Sequence, residues 1–298
     1  MNPGENPAAP PATIGLIGGR GLMGSMFRRL FESDGQGVRV AGPSDDPGYG
    51  GLVAESDVII VTVPITETVG VIQRIAPLLR PEQLLSDFTS IKGEPVAAML
   101  KTAARVIGCH PLFGPMPNPA GQNVVLCPSR PGHFLGWYRT FFQRHGMAVV
   151  EMEPEAHDDA MAFIQGLTHF INIVFARTLQ TRKADLERIL RVCSPVYRVL
   201  FAILCRILSG DAHLYGQIQV SNRKNLPVLR DFLANSHEFF DQVQASAWED
   251  VYGFVNEAAG FLGDYQKIAR AESDFLIEQM TRYLQQRRPG DDGFGGAN

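Results

Sequence analysis

Apolar positions along this chain follow two regimes. In the first half they gather into short runs separated by amphipathic stretches. Residues 14–18, 37–41, 57–64, 83–87 and 105–109 each read as a strand, and 122–127 and 147–152 as further ones. The run DVIIVTVP is apolar almost throughout, as expected of a parallel strand covered on both faces. Between these runs, Met23, Met26, Phe27 and Leu30 keep the spacing of one helix face, and 66–79 and 95–104 read as further helices. Strands alternating with helices predict an α/β fold, a Rossmann-type doubly wound sheet. After Glu153-Pro154 the period-two signal ends. Long amphipathic stretches at about 156–182, 184–208, 211–243 and 247–286 predict an all-α second domain, with Pro195 and Pro227 as helix starts or kinks. The expected organisation is a disordered leader over 1–11, a dinucleotide-binding domain over 12–153, a helical domain over 154–287 and a disordered tail over 288–298.

Composition narrows the classes. Of 298 residues, 45% are hydrophobic, enough for a sizeable core. A formal net charge of -4 argues against a nucleic-acid partner, since such proteins carry a basic excess or stripe. Pairs such as Arg28-Arg29 and Arg287-Arg288 read as solvated faces. No uninterrupted apolar run reaches the roughly 18 residues of a membrane span, so no membrane partner is expected. The leader lacks the basic and apolar regions of a signal peptide. Four cysteines without metal-ligand spacing read as free thiols in a reducing, cytoplasmic compartment, and no metal site is expected.

The glycines carry the first chemical signal. TIGLIGGRGLMG places Gly19, Gly21 and Gly24 in G-x-G-x-x-G register, between an apolar strand and an amphipathic helix. Gly19 permits the tight turn, Gly21 lets backbone approach a pyrophosphate, and Gly24 allows the helix to pack closely. The helix N-terminus presents its N–H groups to the phosphates. Gly19, Arg20, Gly21, Leu22, Met23 and Gly24 are therefore candidate cofactor contacts, joined by Val63 and Pro64 at the end of another strand. The second strand ends in Ala41-Gly42 where an acidic ribose ligand is usual, with Asp45 and Asp46 just beyond. No arginine follows that strand to meet a 2′-phosphate, and Arg39 within it points either way. NAD is favoured over NADP.

The second signal is GCHPLFGP. Read alone, His110 serves either a turn or a substrate. Ligands of doubly wound sheets bind beyond the carboxyl ends of strands. Three elements converge there: Thr62-Val63-Pro64-Ile65, DFTSIK with Ser90, and Cys109-His110-Pro111. An imidazole titrates near neutrality and can take a proton as hydride departs, while a serine hydroxyl orients the same group.

These motifs give the chain a recognisable character. GGRGLMG, VTVPI, DFTSIK, GCHPLFGP, HDDAMAFIQGLTHF, CSPVYR and SNRKNL together resemble the prephenate dehydrogenase family, over nearly the whole chain apart from its tails. The likeness is closest to the dehydrogenase part of bacterial bifunctional enzymes, with no chorismate mutase segment expected ahead of it. The resemblance implies oxidative decarboxylation of a cyclohexadienyl acid. Hydride leaves C4, carbon dioxide leaves C1, and the ring aromatises. It implies that His110 bonds the C4 hydroxyl and takes its proton, and that Ser90 helps hold it. It places Gln165 and His169 on a helix facing the substrate, and Lys224, with Arg223 beside it, where relatives carry a carboxylate-binding arginine. It implies a homodimer through the helical domain.

Some positions depart from the pattern. Lys224 is a point charge in place of a bidentate fork. Met116 follows HPLFGP where an acid is frequent, and Thr168 stands where the bifunctional relatives carry arginine. These departures bear on charge around the substrate, and 4-amino-4-deoxyprephenate is the alternative to prephenate. Two rivals remain: a non-catalytic nucleotide-binding regulator, and another two-domain hydroxyacid or imine dehydrogenase. Phe163, Leu167, Phe170 and Val174 keep helical spacing and read as packing. His157-Asp158 opens a helix, where an acid suits the dipole. His133, His145, His213 and His237 receive no chemical role.

Overall fold

The computed structural model describes residues 11–42 and 49–286. Asp45, Asp46, residues 1–10 of the expected leader, Arg287-Arg288 and the glycine-rich tail lie outside the described residues. Chain contacts define two compact units. One holds the chain through Gly166 together with Gly216–Asn225, and the other holds Leu167–Tyr215 together with the chain from Leu226 onward.

The first unit is built on seven strands: β1 (Thr13–Ile17), β2 (Gly37–Ala41), β3 (Val58–Val61), β4 (Leu84–Asp87), β5 (Arg105–Pro111), β6 (Asn123–Arg130) and β7 (Ala148–Glu151). Their order is β2-β1-β3-β4-β5-β6-β7. β1 to β5 run parallel, β6 is antiparallel to β5, and β7 is parallel to β6. The helices are α1 (Leu22–Ser33), α2 (Gly50–Ala54), α3 (Ile65–Ile75), α4 (Gly93–Met99) and α5 (Phe134–Arg144), followed by α6 (Pro154–Met161). The side-chain period of two divides each strand between two cores. Ile60 joins α1 and α5 through Phe27, Phe31, Trp137 and Phe141. Its neighbours Ile59 and Val61 join α2, α3 and α4 through Leu52, Ile72, Val96 and Met99. Both faces are thereby covered, which is why the central strand β3 is apolar and buried throughout.

The second unit is helical: α7 (Thr168–Thr181), α8 (Leu186–Val192), α9 (Pro195–Leu208), part of α10 (Ala212–Ser221), then α11 (Asn225–Gln244), α12 (Trp248–Leu262) and α13 (Tyr265–Gln286). Three of the four long stretches expected here are broken. The stretch over 184–208 stops at Cys193, because Ser194 caps a new helix by accepting from the Tyr197 N–H at 3.3 Å, with Pro195 in its first turn. The stretch over 211–243 breaks where the Asn222 side chain accepts from the Lys224 N–H at 3.1 Å. The stretch over 247–286 breaks at Gly263, whose φ of 53° suits glycine.

The first stretch is instead continuous. A π-helical segment, Ala162–Leu167, joins α6 to α7, so Pro154–Thr181 forms one helical run of 28 residues. By length and composition this run is apolar enough to cross a membrane, with a hydropathy of 1.2, although no uninterrupted apolar run stood out in the sequence. The reason is that scattered polar residues interrupt it. Two of them, His157 and Asp158, are buried and hydrogen-bonded within the first unit.

Candidate active site

The glycine loop closes over the carboxyl end of β1. Gly18 takes a φ of +87°, and a Cβ there would meet the Thr62 carbonyl oxygen at 2.7 Å. A Cβ on Gly19 would meet Leu16 at 2.7 Å, and one on Gly24 would meet the Gly19 Cα at 2.5 Å. These glycines are demanded by packing. Gly21 differs: the single atom near a Cβ there is the Gly18 carbonyl oxygen, at 3.3 Å. Gly21 is also the N-cap of α1, with no side-chain cap and no acid in the first turn. The bare positive end of α1 therefore faces outward beside exposed Arg20 and Leu22, as a phosphate site requires. Met23 turns its side chain against the core below, leaving its backbone to the site.

β1 neighbours both β2 and β3, so the chain's crossovers diverge on either side of it. This is the topological switch point of a sheet ordered in the flavodoxin manner, where such folds bind their ligands. Thr62, Val63 and Pro64 leave β3 on the neighbouring side, and Pro64 is the N-cap of α3. The residues present thus fit a dinucleotide. Arg39 in β2 pairs with Glu55.

Further along the same edge, β4 and β5 lead to the two candidate residues Ser90 and His110. Ser90 follows β4, half-buried, and His110 is the penultimate residue of β5, opposite Val125 of β6. His110 is thus held in the sheet itself and is 3% exposed. Beneath it lies a fully buried ion pair. The Lys92 ammonium meets the Asp87 carboxylate, to which the Thr89 hydroxyl also donates. Lys92 Nζ donates to the Cys109 carbonyl at 2.9 Å, fixing the peptide next to His110. Gly108 makes room for this: a Cβ there would meet Lys92 Cδ at 3.1 Å and Val96 at 2.7 Å.

A second hydrogen-bonded chain runs sideways from the imidazole. His110 Nδ1 lies 2.8 Å from His157 Nε2, and His157 Nδ1 lies 2.8 Å from Asp158 Oδ1. Asp158 in turn accepts from the backbone N–H groups of Lys92 and Gly93, both at 2.8 Å, at the start of α4. Asn222 donates to the Asp158 carbonyl at 2.8 Å. Burial would raise the Asp158 carboxyl, but the His157 hydrogen bond and the two N–H groups outweigh it and hold it below the ordinary carboxylate range. Burial, then the neighbouring His157 and Lys92, hold His110 well below its ordinary value, so it is neutral at neutral pH. Burial likewise lowers His157, opposed in part by Asp158. Burial pushes the thiol of Cys127, across from Gly108, up to about 12.

The remaining expected residues are distributed as follows. Gln165 lies in the π segment, where its own carbonyl and that of Gly166 face the Gln219 side chain, at 3.5 and 3.0 Å. π segments frequently mark functional positions. His169 belongs to the second unit. Its ring meets Tyr215 edge-on at 4.9 Å, and its buried Nδ1 has no partner among the described residues. Lys224 is held by Asp159 at 3.1 Å and Glu155 at 3.5 Å, while exposed Arg223 approaches Glu94 at 3.9 Å. The sequence reading gave His157 and Asp158 only a capping role. The adjacent imidazole and carboxylate were the available signal.

A mostly parallel sheet with a glycine-loop dinucleotide site and a buried neutral histidine at its carboxyl edge defines a nicotinamide-dependent oxidoreductase with a helical second unit. Comparison specifies it. The nucleotide-binding domain of prephenate dehydrogenase matches residues 44–149, and the dimerisation domain of prephenate dehydrogenase matches 153–257. The chain is 31% identical to the T-protein of Haemophilus influenzae over 89% of this chain and 71% of that one. It is 31% identical to a probable arogenate/prephenate dehydrogenase of Methanocaldococcus jannaschii over 92% of this chain and 66% of that one. The 4-amino-4-deoxyprephenate dehydrogenase of Streptomyces pristinaespiralis is 26% identical, over 84% of this chain and 91% of that one. In fold, the chain matches the prephenate dehydrogenase of A. aeolicus, solved with hydroxyphenyl propionate and NAD+, with a TM-score of 0.69 and 17% identity over 89% and 99% of the two chains. The chain belongs to the prephenate dehydrogenase family, and is an NAD(P)-dependent prephenate/cyclohexadienyl dehydrogenase.

Proposed function

We propose that this protein converts prephenate to 4-hydroxyphenylpyruvate with NAD, for tyrosine biosynthesis, and that His110 is its proton acceptor. The observation that carries this is the buried, neutral His110 at the sheet edge that also carries the glycine loop. Bound through the glycine loop, the α1 N-terminus and the Val63-Pro64 segment, the nicotinamide supplies a hydride acceptor. His110 Nε2 takes the C4 hydroxyl proton as the hydride leaves, and returns it to the ring oxygen once loss of carbon dioxide has aromatised the ring. Ser90 orients the hydroxyl, while Gln165, His169, Arg223 and Lys224 hold the rest of the substrate. Lys224 must exchange its partners Asp159 and Glu155 for a substrate carboxylate, so it acts as a poised cation. NAD is preferred because Arg39, within β2, is already paired with Glu55.

We assign the working form as a homodimer through the helical unit. Among the described residues of that unit, Leu190, Leu204 and Ile207 are the buried ones, whereas Phe261 is 90% exposed and Trp248 67%. So little interior in so long a segment supports burial against a second copy. The four free cysteines fit a cytoplasmic setting.

The relative from Streptomyces pristinaespiralis supports 4-amino-4-deoxyprephenate as the second reading. The test is the initial rate of NADH formation with each substrate at equal enzyme. A clearly faster rate with prephenate supports the first reading, and a faster rate with the amine replaces it. NAD binding without turnover of either would make the protein a nucleotide-binding regulator.

A further inference from the structure

We propose that His157 and Asp158 are positioning residues that set the tautomer of His110, so that its Nε2 lone pair faces the substrate. The inference rests on the reading of His110 as the proton acceptor. It follows from counting donors. Both oxygens of Asp158 accept backbone N–H groups at the start of α4, so the carboxylate is fixed in place and has no proton to give. His157 Nδ1, at 2.8 Å from Oδ1, must then carry the hydrogen. A neutral imidazole with hydrogen on Nδ1 is an acceptor at Nε2. That Nε2 lies 2.8 Å from His110 Nδ1, so His110 Nδ1 must donate. The remaining nitrogen of His110, Nε2, is left with its lone pair. One buried carboxylate thus dictates the direction of every hydrogen bond up to the base.

The chain also provides for charge. When Nε2 accepts the hydroxyl proton, the O–H bond breaks and the N–H bond forms, and His110 becomes an imidazolium inside the protein. Its Nδ1–H bond to His157 then becomes charge-assisted and strengthens, with the Asp158 carboxylate at the far end to balance it. The other charged groups packed around the pair are Lys92 and Asp87, which neutralise one another. Asp158 is therefore the carboxylate left to answer the new charge. The rings of His110 and His157 stand 5.0 Å apart at 67°, an edge-on arrangement that aims one nitrogen at the other.

The experiment compares His157→Asn, too short to reach His110, with His157→Gln. The glutamine amide places its oxygen and nitrogen as far apart as the two ring nitrogens, so it can accept from His110 while donating to Asp158. Each is made alone and with His110→Asn, and kcat, KM for the substrate and NAD affinity are measured. The expected result is a fall in kcat of about 10²-fold for His157→Asn, within the range of general-base effects, with KM and NAD affinity held. Recovery of most of this is expected in His157→Gln, and no additional loss in the His110→Asn background. If the asparagine variant does not fold, His157→Leu takes its place. Equal, additive losses in the asparagine and glutamine variants overturn the proposal, since they mark a packing role. Unchanged kcat in His157→Asn beside an inactive His110→Asn overturns it too, and leaves the role of His110 standing. Full activity of His110→Asn overturns the underlying reading instead.

Discussion

Lys92→Met isolates the buried ion pair under the catalytic edge. Lys92 and Asp87 are both fully buried, with no solvent to stabilise either charge alone. Methionine approximates the lysine stem, fits the space Gly108 leaves, and removes the ammonium. Asp87 then keeps its bonds from Thr89 but loses its counter-ion. Breaking a buried pair from one side costs about 3–5 kcal/mol. At about 2–4 °C per kcal/mol for a unit of this size, the melting temperature falls by roughly 6–20 °C. Trp137 reports on this unit, since it lies on α5 and stacks against Phe31 of α1. The chain has 2 tryptophans, so unfolding followed by fluorescence in a Trp248→Phe background reads Trp137 alone. Adding Asp87→Asn to Lys92→Met should recover most of the loss, because no charge is then left buried. Kinetics give a second reading. The Lys92 charge helps hold His110 low, so in Lys92→Met the acid limb of kcat/KM moves to higher pH. A single variant as stable as wild type, or a double variant no better than the single, would refute the reasoning.

Four further outcomes follow from the same geometry. Gly24→Ala should lose about 1–3 kcal/mol of stability, because its Cβ falls 2.5 Å from the Gly19 Cα. Gly21→Ala should keep its fold and lose NAD affinity, since the one atom near its Cβ is the Gly18 carbonyl oxygen at 3.3 Å, whereas a side chain at the α1 N-cap crowds an approaching pyrophosphate; calorimetric titration with NAD separates the two. His110, His157 and Asp158 all have folded-state values below their ordinary ones. Each therefore binds fewer protons folded than unfolded, so the stability they contribute is complete above the ordinary histidine range and lost as pH falls through the lowered values. Melting curves taken from about pH 8 to about pH 4 should be flat at first and then fall, and a rise on acidification would contradict the sign. Lys224→Ala should raise KM with kcat nearly unchanged, and an unchanged KM removes Lys224 from the carboxylate site.

Much of the sheet was legible because its strands are covered on both faces and so read as apolar runs. Val58–Val61 is the clearest, every residue buried. The glycine loop was legible because steric demand writes itself into sequence: Gly18, Gly19 and Gly24 have no room for a Cβ. Helix α5 is hard to read from sequence although Phe134, Trp137, Tyr138, Phe141 and Phe142 keep full helical spacing. Its aromatic content competes with helix propensity and masks the period. The short α2 carries too few residues to show a period. The breaks at Ser194 and Asn222 are decided by side-chain caps, which periodicity does not report. The His110–His157 contact spans 47 residues of sequence and exists only through the pairing of β5 with the start of α6, so no local pattern announces it. The burial of Lys92 is hidden for a related reason: a lysine is expected at the surface, and only its pairing with Asp87 and the gap at Gly108 explain its burial.

The central claim is a proton-accepting His110 in an NAD-dependent oxidative decarboxylation. The most direct measurement follows NADH and carbon dioxide together from prephenate, in wild type and His110→Asn, with NAD affinity measured in both. The account predicts equimolar NADH and carbon dioxide in wild type, and a fall in kcat of about 10²–10⁴-fold in the variant with NAD affinity preserved. Equal turnover by the variant, or NADH without carbon dioxide, would contradict it.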